Sequence, residues 1–131
     1  MVAVSLKKKK PAKNIKSLQE LLAAAGAKPS TLTQAADGTL IGPDGRTLYV
    51  FAKDVAGSGK STCVDACAAN WPPLGVAATA VPLGDYTIIT RADGSKQWAF
   101  KGMPLYYYAK DTKSGDRLGD GVGGNWKIAK P

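Results

Sequence analysis

Histidine is absent from all 131 residues, and glutamate occurs once, as Glu20. Without histidine there is no Ser-His-Asp triad, no Cys-His nucleophile pair and no imidazole to ligate zinc or haem. Cysteine is nearly as scarce: Cys63 and Cys67 are the only two, and two thiols cannot close a four-coordinate metal site. No apolar run approaches the roughly 18 residues that would cross a bilayer. Acid is missing from the first 16 residues, which carry Lys7, Lys8, Lys9, Lys10, Lys13 and Lys16. The formal charge of +8 is therefore a basic arm on a body whose twelve basic and ten acidic groups nearly balance. Such an arm suits an acidic protein surface or anionic lipid. It has no interleaved aromatics, so only non-specific, salt-sensitive contact with nucleic acid is expected. Pro11 and further lysines stand where an export signal would place an apolar stretch of about 7–15 residues. On its own, the sequence keeps a cytoplasmic location open.

What is present begins with a short helix. Ser17-Leu18-Gln19-Glu20 fits a capping box, Leu18, Leu21, Leu22 and Ala25 fall on one helical face, and Gly26 can close the C-terminus. Lys7–Lys10 and the Leu18, Leu21 and Leu22 face are the expected docking elements for a protein partner or larger complex. Residues 1–30 are read as this arm and helix, and residues 31–131 as a separate body.

That body repeats itself. Gly45-Arg46-Thr47-Leu48-Tyr49-Val50-Phe51-Ala52-Lys53-Asp54 returns as Gly102-Met103-Pro104-Leu105-Tyr106-Tyr107-Tyr108-Ala109-Lys110-Asp111, with six of ten positions identical. Ala36-Asp37-Gly38 matches Ala92-Asp93-Gly94 upstream, and Asn70-Trp71 matches Asn125-Trp126 downstream. Three landmarks in one order imply a duplication, with repeat one at about 32–80 and repeat two at about 86–131. Tyr86–Arg91 is β-branched, Ala92-Asp93-Gly94-Ser95 is turn chemistry, and Lys96–Lys101 alternates around Trp98 and Phe100. Leu48–Ala52 and Leu105–Ala109 read as equivalent strands. The expected fold is β-rich and mainly antiparallel: two duplicated β units sharing one core, plus short helices and the basic arm.

In a strand, residues i and i+2 share a face. Tyr49 and Phe51 are thus expected to stack together, as are Tyr106 and Tyr108, with Trp71 and Trp126 as further repeat landmarks. Asp54 and Asp111 fall just past the strands, where a carboxylate accepts turn amides.

Gly57-Ser58-Gly59-Lys60-Ser61-Thr62 resembles the end of a phosphate-binding loop. Asp54 occupies the position of that loop's first glycine, however, and no βαβ context follows, so nucleotide binding is not expected. Asp111, Asp116, Asp120 and Asn125 fit no EF-hand spacing. No metal, cofactor or catalytic residue is assigned. Cys63 and Cys67 are spaced for a disulfide across one helical turn, for buried thiols or for a redox pair.

The chain resembles a bacterial family of secreted repeats of unknown function, predicted lipoproteins with a Tyr-x-aromatic-x-x-Asp motif. The resemblance is carried by Thr47–Asp54, Ser61–Leu74, Thr90–Ser95, Gly102–Tyr106 and Gly121-Val122-Gly123-Gly124-Asn125-Trp126, and spans about Thr39 to Pro131. It implies a cell-envelope or extracellular location, often with a lipid anchor, and in that setting a structural Cys63–Cys67 disulfide. The function expected is a non-enzymatic binding or structural domain, an envelope protein or accessory subunit docked through its N-terminal segment. The alternative is a redox or electron-transfer-associated protein using Cys63 and Cys67.

Overall fold

A computed structural model describes residues 27–131. The lysine arm and the Leu18, Leu21 and Leu22 face lie outside the described residues.

Each repeat opens on a hairpin turned by Ala-Asp-Gly. In repeat one, β1 (Thr33–Gln34) pairs antiparallel with β2 (Leu40–Ile41). In repeat two, β4 (Tyr86–Thr90) pairs with β5 (Lys96–Phe100), which continues onto β6 (Met103–Pro104). The two turns are built alike. Asp37 Oδ1 accepts the Thr39 amide at 3.0 Å, and Asp93 Oδ1 accepts the Ser95 amide at 2.9 Å. Gly38 and Gly94 follow at φ 91° and 89°, a left-handed conformation that a side chain would strain.

After the hairpins the repeats stop being independent. Tyr49 and Tyr106 face each other and exchange both backbone hydrogen bonds, at 2.8 and 2.9 Å, so a pseudo-two-fold axis passes between them. Each motif segment then runs along the partner repeat. β3 (Tyr49–Phe51) pairs with β7 (Trp126–Ile128), and the Ala52 amide donates to Asn125 O at 2.7 Å. Correspondingly, Tyr107 N donates to Pro72 O at 2.7 Å and Ala109 N to Asn70 O at 2.9 Å.

The expected strand Leu105–Ala109 is reduced to isolated bridges at Tyr106. Its partner is Trp71-Pro72-Pro73-Leu74, and two prolines lack the amides that a ladder requires. The equivalent partner Trp126-Lys127-Ile128-Ala129 has all four, which is why only β3 forms a full pair. Between motif strand and tryptophan, repeat one carries a short helix, α1 (Ala66–Asn70), and repeat two a 3-10 turn at Val122–Gly124.

The single shared core expected from the sequence is two clusters, one on each side of the central segments. Leu48 and Leu105 point into the first, with Leu32, Leu40, Leu74, Tyr86, Trp98, Phe100 and Ala129. Their neighbours Tyr49 and Tyr106 point into the second, with Cys63, Trp71 and Trp126. Strand alternation separates the clusters, and each draws on both repeats. Among the described residues, no helix is long and apolar enough to cross a membrane.

Candidate functional site: crossed tyrosine–aspartate pairs

The motif residues converge on the second cluster, and they are paired across the repeats. The Tyr49 hydroxyl donates to Asp111 Oδ2 at 2.6 Å, and the Tyr106 hydroxyl donates to Asp54 Oδ2 at 2.6 Å. Each repeat supplies the phenol for the other's carboxylate. Both tyrosines are fully buried and both aspartates nearly so. Burial first, and then the carboxylate beside each hydroxyl, push the Tyr49 and Tyr106 phenols well above their ordinary range.

The aspartates also take the turn amides expected of them. Asp54 Oδ1 accepts the Thr62 amide and the Thr62 hydroxyl, both at 2.7 Å, while Asp111 Oδ1 accepts the Leu118 amide at 3.0 Å. Every hydrogen-bond partner of either carboxylate is a donor. With Thr62 N committed to Asp54, the Gly57–Thr62 loop closes on a carboxylate and its phosphate-loop likeness goes no further.

The two locks differ in their outer support. Ser61 Oγ lies 2.6 Å from the Tyr106 hydroxyl and accepts from Arg91 Nη1 at 3.0 Å. Arg91 is itself buried, donating to Gln97 Oε1 at 2.8 Å and to Cys63 O at 2.6 Å. The corresponding support for the Tyr49 hydroxyl is the Gly119 amide, at 3.2 Å. A Cβ on Gly119 would come 2.7 Å from Trp71 Cη2 and 3.0 Å from Tyr49 Cζ, so glycine is what lets the backbone approach this closely. Sequence reasoning missed Ser61, Thr62, Arg91, Gln97 and Gly119 as parts of the arrangement. The only signal was positional, since Thr62 lies 8 residues beyond Asp54 and Leu118 lies 7 beyond Asp111.

The expected stacking of Tyr49 on Phe51 and of Tyr106 on Tyr108 is replaced by contacts across the axis. Phe51 stacks on Trp126 at 4.3 Å, Trp126 on Trp71 at 3.7 Å, and Trp71 on Tyr108 at 4.2 Å. The indole planes are 4° from parallel. Tyr49 meets Trp71 edge-on at 5.5 Å, and Tyr106 meets Trp126 edge-on at 5.1 Å. The four-ring stack and its two flanking phenols share the pseudo-two-fold axis. Strand spacing put the i and i+2 rings on one face, but each ring meets a different tryptophan: the tyrosine that of its own repeat, the i+2 ring that of the other.

Cys63 and Cys67 form a disulfide with Cα atoms 5.1 Å apart. Cys63 is fully buried against the aromatic cluster, and Cys67 packs at its edge. Cys63 lies before the helix, and the chain reaches α1 through Asp65 at φ 55°. The remaining acidic residues of the glycine-rich segment serve separate backbone amides. Asp116 Oδ2 accepts from Thr112 N and Lys113 N, and Asp120 Oδ1 accepts from Ile128 N.

Neither curated proteins nor solved structures give a match to this chain. The sequence model of a family described as a secreted repeat of unknown function matches twice, over residues 31–75 and 87–130. Each match holds one tyrosine, one aspartate and one tryptophan of the crossed arrangement, Tyr49, Asp54 and Trp71 in the first and Tyr106, Asp111 and Trp126 in the second. This duplicated chain belongs to that family of secreted repeats.

Proposed function

We propose that the chain is a non-enzymatic binding or structural module of the cell envelope, an accessory subunit docked on a larger assembly through its N-terminal segment. One observation carries the reading: the motif side chains are consumed inside the fold. Tyr49, Tyr106, Asp54 and Asp111 satisfy one another across the repeat axis and are buried there. A substrate would have to displace these contacts to reach them. A groove of about 440 Å³ between the 29–31 and 75–83 segments, lined in part by Trp98, has no ionisable side chain in its walls. It offers a surface for contact, and no acid or base beside its Ser30, Thr31 and Thr79 hydroxyls to activate them.

Partner contact is therefore assigned to the exterior and to residues 1–26. The lysines would supply salt-sensitive attraction and Leu18, Leu21 and Leu22 the apolar contact. Thiol–disulfide exchange through Cys63 and Cys67 is the weaker reading, because attack is limited to the half-buried Cys67 and the leaving sulfur, that of Cys63, is fully buried.

The test is co-sedimentation of the full chain with the envelope fraction of its own cells. The wild type is expected to sediment. Replacement of Lys7–Lys10 by glutamine should lower the salt needed for release, and Leu18, Leu21 and Leu22 to serine should abolish sedimentation. If both variants sediment as the wild type does at every salt concentration, docking through the N-terminal segment is wrong.

A further inference from the structure

The aromatic cluster contains two kinds of ring contact. The tyrosines meet the tryptophans edge to face, the arrangement neutral rings prefer. The two indoles lie face to face instead, at 3.7 Å and 4°. Overlap of that kind opposes like quadrupoles while both rings are neutral. It becomes attractive once one ring has lost an electron, because the positive charge is then shared with its neighbour's π system. Phe51 and Tyr108 extend the overlap at either end, and both are only half-buried. Two buried carboxylates, Asp54 and Asp111, lie behind the phenols that flank the stack. In a low-dielectric interior their charge favours a positive one nearby.

Each flanking phenol also has a proton acceptor in place. Oxidation of a buried tyrosine is costly when its proton has nowhere to go, and here a carboxylate oxygen lies 2.6 Å from each hydroxyl. The sulfurs of the cluster are already joined as a disulfide, so no thiol stands beside the rings to quench a radical.

We propose that the cluster is a one-electron relay with a single port. An external one-electron oxidant, an oxidised metal centre, takes an electron from the half-buried Tyr108–Trp71 end of the stack. Phe51, far harder to oxidise, closes the other end. The hole moves across Trp71 and Trp126 and is filled by an electron from Tyr49 or Tyr106. That phenol releases its proton to Asp111 Oδ2 or Asp54 Oδ2 and becomes a neutral tyrosyl radical. The metal centre is reduced by one electron, and the O–H bond of tyrosine is exchanged for an O–H bond on aspartate. A one-electron donor, a second reduced metal centre, resets the site by returning an electron through the stack while the proton goes back to the phenol. The net change is one electron passed from donor to oxidant. This function goes beyond the docking assignment and does not depend on it.

The test uses the full chain, a ruthenium polypyridine complex oxidised by a light flash and a sacrificial acceptor, and detection by transient absorption and electron paramagnetic resonance. In the wild type a tryptophan radical should form first and give way to a neutral tyrosyl radical. The double variant Tyr49→Phe/Tyr106→Phe keeps both rings and should lose the tyrosyl signal, leaving the tryptophan radical to persist. Asp54→Asn/Asp111→Asn keeps the phenols but removes the proton acceptors, and should lose the tyrosyl signal as well. Near-ultraviolet circular dichroism verifies the stack in each variant; if the aspartate pair does not fold, the phenylalanine pair carries the test. An undiminished tyrosyl yield in Tyr49→Phe/Tyr106→Phe would place the radical on other tyrosines and overturn the proposal. So would the absence of any tryptophan radical in the wild type. Neither result bears on envelope docking.

Discussion

The loop after Asp54 and the loop after Asp111 do the same task with different materials. Around Asp54, side chains do most to hold the lock: Thr62 bonded by its amide and its hydroxyl, Ser61 on the Tyr106 hydroxyl, Arg91 of repeat two behind Ser61, and a disulfide fixing the chain beside them. In repeat two the backbone holds it: Leu118 N on Asp111, Gly119 N on the Tyr49 hydroxyl, and glycines at positions 121, 123 and 124 with positive φ. One loop gains order from cross-links, the other from close backbone approach. What the duplication preserved is the tyrosine, the aspartate and the tryptophan, while the means of presenting them diverged.

Three measurements separate what the loops share from what each owns. The largest effect is expected at the shared stack. Trp126→Ala should lower stability by about 3–5 kcal/mol in denaturant titration, and Trp71→Ala should cost a similar amount, since the two rings occupy equivalent places. A much smaller cost for one of them would mean that its loop carries the stack alone. Next comes the cross-link. Reducing the disulfide, which spans a sequence separation of 4, should cost about 2 kcal/mol from loop closure. Amide exchange should rise through residues 55–70 and stay unchanged through 112–125; equal rises in both would show that the loops are coupled.

The smallest effect, a difference between two single changes, gives the sharpest contrast. Tyr49→Phe leaves Asp111 with the Leu118 amide, whereas Tyr106→Phe leaves Asp54 with both Thr62 donors. Both changes should cost about 1–3 kcal/mol, with Tyr49→Phe the more damaging by thermal or chemical denaturation. The reverse order would mean that the Ser61–Arg91 support outweighs the carboxylate's remaining bonds.

Much of this was legible in the sequence, and the limits have physical causes. The offset between Tyr49 and Tyr106 revealed the duplication, and a β-branched run with an Asp-Gly turn located the hairpin of repeat two, while the two-residue strands of the first hairpin were too short to read. Aspartates past a strand were expected to take amides, and they do. Periodicity states which residues share a face and is silent on what they face. The sequence therefore suggested Tyr49 against Phe51, while in the fold Tyr49 meets Trp71 edge-on and Phe51 stacks on Trp126 from across the axis. Proline spacing held a clue that strand propensity obscured: Pro72-Pro73 opposite Leu105–Ala109 rules out a complete ladder. Arg91 carried no signal, because alanine holds the equivalent place in repeat one and a lone arginine at a strand end reads as solvent-exposed.

The crossed bonds have a consequence for what a single repeat could do alone. Neither repeat can satisfy its own tyrosine, its own aspartate or its own tryptophan face. A chain carrying one copy would meet those needs only by binding a second identical chain about a true two-fold axis, as an isologous dimer. In the tandem chain that contact is intramolecular, at an effective concentration no free partner matches. The two halves support it differently, one with a disulfide and the other with glycine.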